Sequence, residues 1–182
     1  MKLSAATVPD VLLIEPRVHA DPRGSLFELW NAERFRDHGF DWTFVQDNVS
    51  RSGRGVLRGL HYQVAQAQGK LVTVLAGEIF DVAVDLRRAS PTYGRWAGVV
   101  LAAERPRLMW IPPGFAHGFY VTSDAAEVFY KCTAPYAPAH ERTIRWDDPD
   151  LAISWPLPRG MAPILSPKDG KGLDFREAPT LG

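Results

Sequence analysis

Cysteine is nearly missing: Cys132 is the only one in 182 residues. An intrachain disulfide is therefore excluded, and a reducing compartment is the simpler expectation. Net charge is missing too. The 21 Lys and Arg balance the 21 Asp and Glu, so no global field draws the chain to nucleic acid or to a membrane surface. An anionic ligand would have to be held by a local cluster of basic side chains. No apolar run approaches transmembrane length, and Val11 to Ile14 is too short for the apolar core of a signal segment. A cytoplasmic location is the expectation. Internal repeats and low-complexity tracts are also absent. Hydrophobic residues at 46% suffice for a sizeable core, and no shift in composition divides the chain. One domain over 1–182 is expected, with a mobile tail from about residue 171.

Helical sequence is scarce. Asn31 to His38 is the one good candidate, with Asn31 as N-cap and Gly39 as the stop. The remainder reads as short strands between Gly- and Pro-rich turns: Val11–Ile14, Ser25–Trp30, Phe44–Ser50, Arg95–Leu101 and Ala126–Thr133. Leu71–Leu75 and Ile79–Leu86 read as a hairpin about Ala76-Gly77-Glu78. Many short strands with one helix favour a sandwich or barrel, and inward-pointing polar residues near strand ends fit a ligand in its mouth.

The polar residues of the strands are informative. Gly55-Val-Leu-Arg58-Gly59-Leu-His61-Tyr-Gln63, followed by Gly69-Lys70, puts a guanidinium, an imidazole and an ammonium into strand-forming sequence. Such groups must face water or line a cavity, because burying them unpaired costs several kcal/mol. Strict alternation would send Arg58 and His61 to opposite faces. An interior glycine often marks a bulge, and one near Gly59 is expected to turn both side chains into one cavity. Gln46 and Asn48 share a face, either as a solvated edge or as a pair of amides for a polar ligand. Arg51 to Gly55 is a basic, glycine-rich loop of the sort that suits phosphate, though such loops are common. Asp81 sits mid-strand and either faces solvent or needs a partner inside. Pro112-x-Gly114-x-x-His117 is a rigid turn running into a strand that begins with an imidazole, and Tyr130 shares a face with Val128 and Cys132.

Several of these blocks occur together and in order: Asp21-Pro-Arg-Gly24 with Phe27-Glu28, Val45 to Asn48, Gly55 to Gln63, Gly69 to Val72, Trp110 to Phe119, Tyr130 to Thr133, and Leu165 to Asp169. The set, spanning roughly residues 8 to 170, resembles the dTDP-4-dehydrorhamnose 3,5-epimerase family. The resemblance implies an all-β, cupin-type jelly-roll barrel (a double-stranded β-helix) with short peripheral helices. It implies a homodimer, the substrate dTDP-4-keto-6-deoxyglucose on the route to dTDP-L-rhamnose, and no cofactor or metal.

Epimerising a carbon beside a ketone takes a base near working pH, a positive group for the enolate oxygen and an acid on the opposite face. His61 is the natural base, Lys70 suits the enolate and Tyr130 the acid. The resemblance points to Asp169 as the carboxylate that orients His61, with Asp81 as a second candidate. It also implies that Arg23 and Arg58 bind the diphosphate, with Lys168 as a further candidate, because the guanidinium fork binds two oxygens at once. Gln46, Asn48 and Glu28 would serve thymidine, and His117 and Glu141 the substrate pocket, with Tyr136 stacking. An N-terminal arm carrying Arg23, Phe27 and Glu28 would act across a dimer interface. One departure stands out: Ala134-Pro135 occupies a place where the family suggests an acidic or aromatic residue.

Other classes leave different marks. A metal-dependent cupin takes a His-x-His pair, but Tyr62-Gln63 follows His61, and Gln63 is a poor substitute for imidazole. A non-catalytic sugar-nucleotide-binding cupin would keep the arginines without needing His61, Lys70, Tyr130 and Asp169 together. Within the enzyme reading, the runner-up is a monoepimerase at C3 or C5, or an epimerase of a related nucleotide sugar.

Overall fold

The computed structural model describes residues 1–180. Strands run in the order β1 (Lys2–Ala5), β2 (Leu12–Glu15), β3 (Val18–Asp21), β4 (Gly24–Phe27), β5 (Gln46–Gly53), β6 (Leu57–Gln63), β7 (Lys70–Ala76), β8 (Glu78–Asp85), β9 (Trp96–Ala102), β10 (Leu108–Ile111), β11 (Phe115–Val121), β12 (Ala125–Cys132) and β13 (Glu141–Thr143). One helix, α1 (Ala32–Asp37), precedes β5, and a 3-10 turn spans Asp169–Lys171. The Asn31 side chain caps α1 by accepting from Arg34 N–H at 3.2 Å, as its sequence suggested.

Two antiparallel sheets face each other, ordered β1-β2-β10-β7-β12-β5 and β13-β6-β11-β8-β9, while β3 and β4 pair only with each other. Val72, Val74 and Val128 of the first sheet pack between the layers with Ile79, Ala83 and Phe119 of the second. Each such buried side chain contributes about 1.5–3 kcal/mol of transfer free energy. The outer faces are covered over much of their area as well. Trp30, Phe35, Trp42 and Phe44 cover Leu71 and Trp110 of the first sheet. Trp155, Phe175 and Ala178 cover Tyr62, Val82 and Val84 of the second.

Two expectations fail here. β7 and β8 do not form a hairpin: β7 pairs with β10 and β12, whereas β8 pairs with β9 and β11. The Ala76-Gly77-Glu78 corner instead carries the chain from one sheet to the other. Gly77 has φ +76° and Ala125 backbone directly over its α-carbon, which leaves no room for a side chain. Nor does the chain loosen after residue 171. Leu173 exchanges backbone hydrogen bonds with Thr143 and Arg145, both at 2.9 Å. Phe175 N–H donates to Asp148 Oδ2 at 2.8 Å, and Tyr62 OH donates to Pro179 O at 2.9 Å. Apolar side chains that lack lateral neighbours in sequence find them on the second sheet's outer face.

Candidate active site

The interior is polar at one end, where a cavity of about 360 Å³ opens between the sheets. The β6 bulge builds one wall. His117 stands opposite His61, but Phe119, two residues further, stands opposite Arg58, so β6 carries an extra residue at this point. Gly59 has φ +134°, and a β-carbon there would lie 2.5 Å from Gly118 Cα. The bulge brings Arg58 and His61 to the same cavity, in keeping with the sequence reading.

His61 Nε2 lies 2.5 Å from Asp169 Oδ1. The carboxylate is buried on the 3-10 turn, while the imidazole keeps about a quarter of its side-chain surface exposed. Burial pushes His61 below the ordinary imidazole range, and the hydrogen bond to Asp169 opposes this. Burial would raise Asp169, but the bond from His61 holds it below the usual carboxylate range. Neutral imidazole and ionised carboxylate follow, with the proton on Nε2 and the lone pair on Nδ1. Asp81, the second candidate for orienting His61, instead binds His117 Nε2 at 2.7 Å, and both are buried. Its position on an inward register of β8 made a partner obligatory, and the nearest imidazole on that face belongs to β11.

The first sheet forms the opposite wall. Across it, Lys70 stands beside Cys132, which stands beside Gln46; one row along, Tyr130 stands beside Asn48. Lys70 Nζ donates to His61 O at 3.4 Å. Burial lowers the Lys70 ammonium, partly offset by Cys132 and Asp81. Burial raises the Tyr130 phenol, so it stays protonated over a wide range. Gln46 Nε2 donates to Asn48 Oδ1 at 3.0 Å, and Asn48 Nδ2 reaches Cys132 Sγ at 3.6 Å. These amides face the cavity and not a solvated edge.

At the mouth Glu141 accepts from Lys168 Nζ at 2.8 Å and from Tyr136 OH at 2.9 Å. Burial would raise Glu141, but Lys168 and Tyr136 hold it below the usual range. Arg58 Nε donates to Ser52 Oγ at 3.0 Å and lines the same opening.

Three candidates lie elsewhere. Arg23 is exposed on the β3–β4 hairpin and pairs with Asp21, while Phe27 and Glu28 line a separate hollow against α1. The basic loop does not face the cavity as a phosphate cradle: Arg51 pairs with Glu127 and Arg54 with Asp124. Sequence reasoning assigned no role in the site to Gln63 or Cys132. Both line the cavity, and period-two spacing from His61 and Tyr130 was the available signal. Among the described residues, no group of three or more His, Cys, Asp or Glu is arranged to hold a metal ion.

Two facing antiparallel sheets around a polar cavity make this an all-β, cupin-type jelly roll. Residues 5–177 match the family model for dTDP-4-dehydrorhamnose 3,5-epimerase, and the chain belongs to that family. A dTDP-4-dehydrorhamnose 3,5-epimerase of Pseudomonas aeruginosa is 58% identical over 179 residues, covering 98% of each chain. The crystal structure of a dTDP-6-deoxy-D-glucose-3,5-epimerase from Legionella pneumophila, in complex with dTDP-4-keto-L-rhamnose, is 50% identical with a TM-score of 0.94, covering 98% of this chain and 94% of that one. A 3'-monoepimerase from Streptomyces bikiniensis, in complex with dTDP-quinovose, is 36% identical with a TM-score of 0.87, covering 94% and 87%.

Proposed function

We propose that this chain epimerises C3 and C5 of dTDP-4-keto-6-deoxy-D-glucose, giving dTDP-4-keto-L-rhamnose for dTDP-L-rhamnose synthesis, without a cofactor. The observation that carries the reading is the His61–Asp169 pair on one wall of a cavity whose other wall carries Lys70 and Tyr130. His61 takes the proton from the carbon beside the C4 ketone, and Asp169 stabilises the resulting imidazolium. The Lys70 ammonium balances the enolate oxygen, and Tyr130 returns its phenol proton from the opposite face. Solvent exchange then resets both groups. C3 and C5 flank the same ketone, so one set of residues serves both in turn.

Arg58 and Lys168 at the mouth suit the diphosphate, and Gln46 and Asn48 suit the nucleotide end of the ligand. Tyr136 is half exposed, which suits stacking on the base, while His117 and Glu141 complete the pocket. Arg23, Phe27 and Glu28 lie outside the cavity of their own chain, and in this reading they complete the nucleotide site of a partner in a cytoplasmic homodimer. The chain works as one domain, since the cavity draws on residues from Gln46 to Lys168.

Proton NMR of dTDP-4-keto-6-deoxyglucose in D2O, with chelator present, tests the proposal. Deuterium is expected at both C3 and C5. Incorporation at one carbon would make this a monoepimerase and direct attention to Pro135 beside Tyr130. Absence of exchange with this sugar would overturn the substrate assignment.

A further inference from the structure

Gln63 is buried at 4% exposure, and its side chain makes three hydrogen bonds, none to another side chain. Its Nε2 donates to Gln66 O at 2.8 Å and to Pro135 O at 3.3 Å, and its Oε1 accepts from Ala137 N–H at 2.9 Å. The two bonds to the 135–137 segment fall on either side of Tyr136. The Tyr136 N–H itself donates to Gln46 Oε1 at 2.8 Å. Three consecutive residues are thus held by two glutamine amides through backbone atoms. The ring they carry is half exposed and fixed at its tip only by the hydroxyl bond to Glu141.

The tie also spans two loops. Gln68 Nε2 donates to Ala134 O at 2.9 Å, Thr133 N–H to Gly69 O at 3.0 Å, and Val64 N–H to His140 O at 3.0 Å. The loop after β6 and the loop after β12 are joined along the cavity rim, with Gln63 at the centre. Three of the four hydrogen bonds an amide can make are committed, so Gln63 has little left to offer a ligand.

We propose that Gln63 is a positioning residue that acts through Tyr136: it fixes the backbone on both sides of that tyrosine, so that the ring is held ready for the nucleotide base before substrate arrives. An exposed aromatic side chain on a free loop would lose conformational freedom on binding, and a pre-ordered one does not. The backbone bonds also explain how the segment tolerates Ala134-Pro135, because neither glutamine contacts the side chains there. The inference rests on the proposed nucleotide-sugar activity, with Tyr136 as its stacking residue.

The test is a double-mutant cycle on nucleotide affinity. Gln63→Met keeps the volume and removes all three bonds. In the folded variant, the Kd for dTDP and the KM for dTDP-4-keto-6-deoxyglucose are expected to rise about tenfold, the effect of leaving one or two buried backbone groups unpaired. The kcat is expected to stay within about twofold, because His61, Lys70 and Tyr130 are untouched. Tyr136→Ala should raise KM by a similar factor, and the double variant should be no worse than either single one. Gln63→Glu keeps the acceptor for Ala137 N–H and loses both donors; it should fall between wild type and Gln63→Met, and it decides the matter if the methionine variant does not fold. A wild-type Kd and KM in folded Gln63→Met, or in Gln63→Glu if that variant stands alone, would overturn the proposal whatever its melting temperature. So would losses that multiply in the double variant, because Gln63 would then act by another route. Failure of the wild type to bind dTDP or exchange deuterium would count against the activity itself, which separates the two conclusions.

Discussion

The second sheet holds two histidine–aspartate pairs side by side, and they differ in how much freedom the fold leaves them. His61 and His117 stand opposite each other across β6 and β11. Each offers Nε2 to a carboxylate, at 2.5 Å for Asp169 and 2.7 Å for Asp81. His117 and Asp81 both lie on strands of the sheet, with side chains 8% and 0% exposed, and Asp81 Oδ2 has no hydrogen-bond partner in the protein. His61 sits beside a bulge, keeps 26% of its side-chain surface, and receives its carboxylate from a 3-10 turn outside the sheet. A base must exchange protons with substrate and solvent, which an almost fully enclosed pair does poorly. The comparison assigns proton transfer to His61 and a fixed, binding role to His117, although residue types and contact distances are nearly the same.

Four substitutions sharpen or break this contrast. His61→Asn is expected to cost most, about 10²–10⁴-fold in deuterium exchange, with dTDP binding retained. Near-normal turnover would mean that the base lies elsewhere, with His117 the first alternative. Lys70→Met should follow at about 10²–10³-fold, as when an enolate loses its main cation. Its melting temperature should hold, because an ammonium buried without a carboxylate contact is no asset to stability.

Asp169→Asn should lower kcat about 10–100-fold, as expected for loss of an orienting carboxylate. Neutral His61 is the active form, so activity falls as pH drops through its pKa. Burial already sets that pKa below the ordinary value, and the Asp169 charge raises it. Removing the charge should therefore move the acid limb of the kcat profile to still lower pH. A limb that stays put would detach Asp169 from the base.

Asp81→Asn should have the smallest effect, below about tenfold, with the acid limb unmoved because His61 is not in contact with it. The basic limb should shift instead. The Lys70 ammonium is the active form, burial lowers its pKa and Asp81 raises it, so loss of Asp81 should bring the basic limb to lower pH. If Asp81→Asn moved the acid limb as Asp169→Asn does, the two pairs would be equivalent after all.

Legibility from sequence followed the same line between local and long-range causes. The bulge at Gly59, the cap at Asn31 and the shared face of Tyr130 and Cys132 depend on near neighbours and were readable from spacing. Strand partners were not. Ala76-Gly77-Glu78 has the composition of a hairpin turn, and only the wider arrangement, with Ala125 against Gly77 and separate sheets for β7 and β8, makes it a corner. Asp81 read as either solvated or inward, since alternation fixes a strand's two faces without saying which one is covered. The segment after 171 looked mobile because its anchors, Thr143, Arg145 and Asp148, lie far back along the chain. The pairing of His61 with Asp169 came from family resemblance, and no periodicity would have found it.

That pair joins positions 108 residues apart, and its distance along the chain puts catalysis late in the life of a nascent molecule. Every strand named here precedes Asp169, so both sheets can close and the substrate cavity can exist while the base still lacks its carboxylate. A chain stopped short of the last 3-10 turn would be a nucleotide-sugar binder with an unoriented imidazole. Exchange activity is thus a report on whether synthesis and folding have reached the end, and it discriminates finished molecules from well-folded fragments more sharply than any measure of sheet content.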